Sequence, residues 1–335
     1  MPGQKMRMNA AQDRPPRERE RLAADGVELA TVHALGWLAV ACGVGLLLSV
    51  LLVAPGLGKV LGSLPHGRWM LLHGNLVLYG WLALPLVALL FRAVLSTGTG
   101  RTAEMSVQVW SGSLMVGAVG WLTGETTGKA FLDGPGVTRV VFLLSLMMLA
   151  WVLAAGLVDR WRTHSRSLQL RAWRLPRFEW PDGSRPWLLA FLAWGGGTLL
   201  ARTLPMFLPG FLAGIQLANA LVAHAHLATA GAASSFAALI LVVVNDRTRL
   251  RGCLADRGSF ALWHGGNAVH VAALAGSVEA LAPGAITACY VVRALAGAAM
   301  LAAAWRWTAE AVRRIEASRV FTPGLPAAPG SRSRP

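Results

Sequence analysis

Eight stretches of this chain are too long and too apolar to be surface helices of a water-soluble protein. They run at roughly 29–54, 69–92, 105–124, 136–158, 187–207, 220–244, 258–280 and 285–305. A helix rises ~1.5 Å per residue, so about 20 apolar residues cross the hydrocarbon layer of a bilayer. Charged residues are only 14% of the chain, against about 25% in soluble proteins, and they crowd into the connecting segments. The expected fold is all-α: a polytopic membrane bundle of about eight transmembrane helices, with lipid as the solvent. Gly and Ala inside several runs, as in Gly195-Gly196-Gly197 and Ala294-Leu295-Ala296-Gly297, allow helices to approach closely.

The net charge of +15 invites a nucleic-acid reading, which the placement of the charge argues against. Basic residues mark the cytoplasmic side of a membrane protein. With the N-terminus inside, the inner segments hold 25 of the 31 Lys and Arg, and the outer ends hold only Lys59, Arg68, Lys129, Arg139 and Arg202. Arg293 lies within the last span. The chain therefore divides into a basic cytoplasmic segment (1–28), a four-helix half (29–158), a cytoplasmic linker (159–186), a second four-helix half (187–308) and a cytoplasmic tail (309–335) whose Pro, Gly and Ser predict partial disorder. No secretory signal pattern precedes the first run. Cys42, Cys253 and Cys289 are too scattered for a disulfide framework or a zinc site.

Five of the eight histidines fall inside spans, where an ionisable side chain is costly and points to function. His33, His66 and His164 read as surface residues near span ends, in the first outer loop and in the linker. His73 lies about four residues below the outer end of the second span, and His226 about six below that of the sixth. At ~1.5 Å per residue both sit about 6–9 Å deep. Two imidazoles at one depth on neighbouring helices suit the two axial positions of a heme iron. They also suit copper, or plain hydrogen bonds to carbonyls. His224 and His226 are two apart, about 200° around a helix, so they face different ligands. His264 and His270 are six apart, about 240°, and read as packing residues with Asn267.

Four motifs at these positions carry a resemblance. They are Gly67-Arg68-Trp69-Met70-Leu71-Leu72-His73-Gly74-Asn75, Gly128-Lys129-Ala130-Phe131, His224-Ala225-His226-Leu227-Ala228-Thr229-Ala230-Gly231 and Tyr290-Val291-Val292-Arg293-Ala294-Leu295-Ala296-Gly297. In this order the set resembles subunit I of the C-type (cbb3-type) heme–copper cytochrome c oxidases of the respiratory chain. The resemblance implies that His73 and His226 ligate a low-spin heme b near the outer face and that His224 corresponds to the ligand of a second, high-spin heme. It also implies a bacterial-type cytoplasmic (inner) membrane, and redox partners that include an outer-face cytochrome c. The family has twelve helices. Here the middle four, which carry the copper-B histidines and the active-site tyrosine, have no counterpart. The chain alone is therefore not expected to bind copper or reduce O2, and much of the second heme pocket is missing. Met70 replaces a family arginine, leaving Arg68 and Arg293 to meet propionates. Ala130 replaces a glutamate near the family's calcium site, which leaves calcium without that ligand.

Three functions are compatible with this pattern. One is an electron-transferring cytochrome with a bis-histidine iron. Another is a gas-responsive or heme-handling protein that uses a five-coordinate heme on His224. The third is a cofactor-free structural subunit of a respiratory complex.

Overall fold

The computed structural model describes residues 16–62, 64, 66–95, 100–127, 134, 136–164, 180–181, 183–207, 217–279 and 282–320. The 128–131 motif, most of the linker and the tail beyond residue 320 lie outside the described residues. All regular structure among the described residues is helical. The described residues form eight successive rods. The first is α1 (Pro16–Val53), trailed by a short 3-10 turn (Pro55–Lys59). The second is composite: α2 (His66–Asn75), a π-helical segment π1 (Leu76–Leu82) and α3 (Ala83–Val94). Next come α4 (Gly100–Thr123), α5 (Gly136–His164) and α6 (Ser184–Phe207). The sixth rod is again composite: α7 (Leu217–His226), π2 (Leu227–Ala233) and α8 (Ser234–Val244). α9 (Arg257–Glu279) and α10 (Pro283–Val320) complete the series.

Among the described residues five rods are long and apolar enough to cross a membrane: Ala24–Val53, His66–Val94, Gly136–Asp159, Val222–Val244 and Pro283–Ser318. α4, α6 and α9 are not among these five. α9 owes its polarity to His264, Asn267, His270 and its glycines, and α4 to its serines and to Arg101, Glu104 and Gln108.

The surface supports the same environment. Trp151, Met147, Leu199 and Leu295 are each about two-thirds or more exposed, while Asn75, Ser235 and Asn267 are buried. A surface of exposed large apolar side chains around a polar-studded interior suits lipid and would aggregate in water. The protein is a multi-pass helical membrane protein.

α1 is the hub. Val27, Ala30, Thr31, Ala34, Leu35 and Leu38 recur at three- and four-residue spacing and are buried. α1 packs on α10, α3, α4 and π1, so it joins the two halves of the chain. The other bridge runs between the composite rods, where α3 packs on α8.

Two helices outrun their expected spans. α1 reaches back to Pro16, whose fixed φ suits a helix start. α10 continues to Val320 because residues 306–320 are good helix formers. There Glu310 accepts from Arg314 Nε at 2.7 Å and from Arg313 Nη2 at 2.6 Å, while Trp307 and Ala311 stay buried against the core.

One ion cluster clamps this end of the bundle. Arg249, in the connection between α8 and α9, donates its Nε to Glu28 Oε2 and its backbone N–H to Glu28 Oε1, both at 2.7 Å. Its Nη2 reaches Asp25 Oδ1 at 2.5 Å. The Glu28 hydrogen bond holds the Arg249 guanidinium above even its usual high range, so the guanidinium stays charged. Glu28 is only 2% exposed, and removal of the cation would strand its carboxylate. Arg249→Ala should therefore lower stability by about 3 kcal/mol, read as a drop in the thermal unfolding midpoint in detergent. Adding Glu28→Gln to it should recover part of the loss.

Candidate functional site

The composite rods carry the two histidines that spacing singles out, and each π segment begins just after its histidine. π1 starts three residues after His73 and π2 immediately after His226. Seven residues with i→i+5 pairing are an α-helix with one residue too many, a form that recurs at functional sites. The widened turns leave backbone groups in need of partners. Trp110 Nε1 donates to the Tyr79 carbonyl of π1 at 2.9 Å. Ser234 Oγ donates to the Thr229 carbonyl of π2 at 2.8 Å and accepts from Trp81 Nε1 at 2.8 Å, tying the two rods together at the π level. In both rods a π-segment glycine admits an indole from the preceding rod. A Cβ on Gly80 would fall 2.6 Å from Trp37 Cβ, and one on Gly231 would fall 2.7 Å from the Trp194 ring. The two halves thus share one structural device, which the sequence does not advertise as a repeat.

Beyond the π segments the rods part. α3 and π1 pack on α8, but among the described residues α2 and α7 make no comparable contact. His73 and His226 lie on these separated stretches. His73 Nδ1 donates to the Ala41 carbonyl of α1 at 2.9 Å. His226 Nδ1 donates to the Val222 carbonyl one turn back, also at 2.9 Å. A carbonyl can only accept, so in each neutral ring Nδ1 carries the hydrogen and Nε2 holds the lone pair. His226 and His270 stand within electrostatic reach of each other and of both His73 and Arg293.

His270 reaches this cluster from α9. Its ring stacks on that of His226 with centroids 4.5 Å apart and planes 26° from parallel. It is 7% exposed, and neither ring nitrogen has a hydrogen-bond partner. Asn267, one turn earlier and fully buried, also leaves both side-chain polar atoms unpaired. Arg293 is half-buried, with its Nε unpaired and its guanidinium carbon 5.7 Å from the Tyr290 ring centroid.

The remaining candidates stand elsewhere. Arg68 Nη1 donates to the Leu122 carbonyl at 3.0 Å and fills the space over Gly124. His224 is half-buried, about 200° around α7 from His226. His264 accepts from Trp194 Nε1 at 3.0 Å among Trp187 and Phe260, so it is built into helix packing. His33 is not the surface residue its position suggests: its Nδ1 meets Ser111 Oγ at 2.6 Å, and Trp37 Nε1 donates to the same oxygen. The three cysteines are free. Among the described residues no group of three or more His, Cys, Asp or Glu gathers into a metal cage. Sequence spacing reads His270 as a packing residue and does not foresee its stacking on His226. Its signal lay in the buried stripe Trp263, Asn267, His270, Leu274 and Ser277, which turns His270 toward the bundle interior.

No protein-family model matches the chain, and comparison with curated proteins also finds no match.

The seat of His73 depends on Gly45, where a Cβ would lie 2.9 Å from His73 Cε1. Gly45→Leu should lower stability by about 1–3 kcal/mol through overpacking. Combining it with His73→Ala should reverse much of that loss, measured as the unfolding midpoint of each variant in detergent.

Proposed function

We propose that this protein is a membrane cytochrome in which His73 and His226 hold one heme b between the parted stretches of the second and sixth rods. The observation that carries the reading is the shared anchoring of both rings through Nδ1 on backbone carbonyls. That bond fixes ring orientation and tautomer and raises the basicity of Nε2, the arrangement found behind metal-bound histidines. The residues present fit the group. Two prepared Nε2 atoms come from separated helices, and the unpaired Nε of Arg293 offers a cation for a carboxylate. A heme so ligated supplies reversible one-electron transfer.

The chain's own part in that chemistry is positional. Ala41 and Val222 orient the ligands, Gly45 makes room for the His73 ring, and the apolar rods keep water from the site. Arg68, held by the Leu122 carbonyl, stands beside the turn after α4 and is the second cationic candidate for a carboxylate. We read all eight rods as spans, with both termini cytoplasmic in a bacterial-type inner membrane. Electrons would pass between an outer-face donor such as a cytochrome c and a partner subunit of a respiratory complex. In this reading the chain holds neither a copper-B site nor a calcium site, and it does not reduce O2 by itself.

Two measurements test this. The purified wild-type protein should give a low-spin reduced-minus-oxidised spectrum that CO leaves unchanged. His73→Ala should lose that spectrum and gain CO binding, whereas His224→Ala should retain it. A wild-type chain without heme bands, or a low-spin spectrum that survives His73→Ala, refutes the assignment. For orientation, Ala255→Cys in a background without the three native cysteines should react with an impermeant thiol reagent only after the cells are permeabilised. Labelling of intact cells would reverse the topology.

A further inference from the structure

The role of His270 is not absorbed by the bis-histidine reading. A helix-packing histidine should hold a hydrogen bond, as His264 does with Trp194. His270 holds none: both of its nitrogens are buried and unpaired. Among the described residues it is also the one imidazole laid face to face on a proposed ligand, 4.5 Å from His226 between centroids. The ring stacks on His226, and the Arg293 backbone of α10 stands beside it without closing a well-formed hydrogen bond. His226, in contrast, is held to the Val222 carbonyl. The two rings come from different rods, α7 and α9, which pack against each other. A movement of one past the other therefore changes which imidazole stands forward.

We propose that His270 is a reserve axial ligand for the iron position served by His226. The inference rests on the bis-histidine reading and extends it to ligand exchange. In the exchange the bond from iron to His226 Nε2 breaks and a bond from iron to a His270 ring nitrogen forms. One neutral imidazole replaces another, so no proton or electron is gained or lost. The protein would thereby have two low-spin states that differ in which helix, α7 or α9, is tied to the iron. His226 is held on the Val222 carbonyl at 2.9 Å, whereas His270 has only the looser approach of the Arg293 backbone, so the two differ as donors and the two states would differ in potential.

The test is electron paramagnetic resonance and optical spectroscopy on the purified full chain. His226→Ala removes the anchored ring and opens space for its neighbour. The expected result is a ferric low-spin signal that persists at g values shifted from wild type. The double variant His226→Ala/His270→Ala should become five-coordinate, high-spin and open to CO. His226→Gln, which better preserves side-chain volume, serves as a second single variant. The proposal is overturned if His226→Ala is already high-spin and binds CO, or if the low-spin signal survives in the double variant. It is equally overturned if both single variants lose heme while the wild type keeps it. A wild type without heme refutes the bis-histidine reading itself, an outcome separate from the other three.

Discussion

Inside hydrocarbon no water is at hand to satisfy a freed carbonyl, so each departure from regular helical pairing has to be repaired by a side chain. That constraint explains where the polar residues of this bundle sit. The indole of Trp110 bonds the Tyr79 carbonyl of π1, and the hydroxyl of Ser234 bonds the Thr229 carbonyl of π2 while accepting from Trp81. Ser113 and Ser145 meet at 2.5 Å between α4 and α5, and Asn245 donates to Thr31 at 2.9 Å between the sixth rod and α1. Each of these bonds satisfies a local need and joins two rods at once.

Against that background the unpaired groups stand out. His270, Asn267 and the Arg293 Nε all belong to the last two rods, and His270 lies in the electrostatic neighbourhood of His73, His226 and Arg293. Burying such groups unpaired costs about 1–3 kcal/mol each. The ion cluster of Arg249 with Glu28 and Asp25 is the contrasting case. There the charges meet within the protein, and the result is a clamp.

The helical class, the lipid-facing character and the pairing of the second with the sixth rod were legible because they rest on local patterns: apolar length, charge placement and depth along a span. The depth argument put His73 and His226 at one level from the sequence alone. What could not be read is what depends on a third element. The partner of His33 is Ser111, 78 residues away. His270 looked like a packing residue because its distance from His226 is set by how α9 lies on α7. The π segments were invisible for another reason. Leu76–Leu82 and Leu227–Ala233 consist of residues that would serve equally in an ordinary α-helix. The surplus residue shows only in the pairing. The expected ends of α1 and α10 fell short because apolar length marks where lipid stops, not where a helix does.

The twin π segments also determine how this protein tolerates changes in chain length. Because each amounts to one surplus residue, loss of a single codon anywhere within 76–82 or 227–233 would let the rod relax to α-helical pairing. The stretches on either side would keep nearly the same facing, because the widened turn is what absorbs the surplus residue. The same loss in an unbroken α-helix such as α4 would swing everything before it by about 100° relative to everything after it. The composite rods thus carry a reserve of length beside each histidine, and losing one unremarkable residue there is a milder lesion than the same loss in α4 or α5.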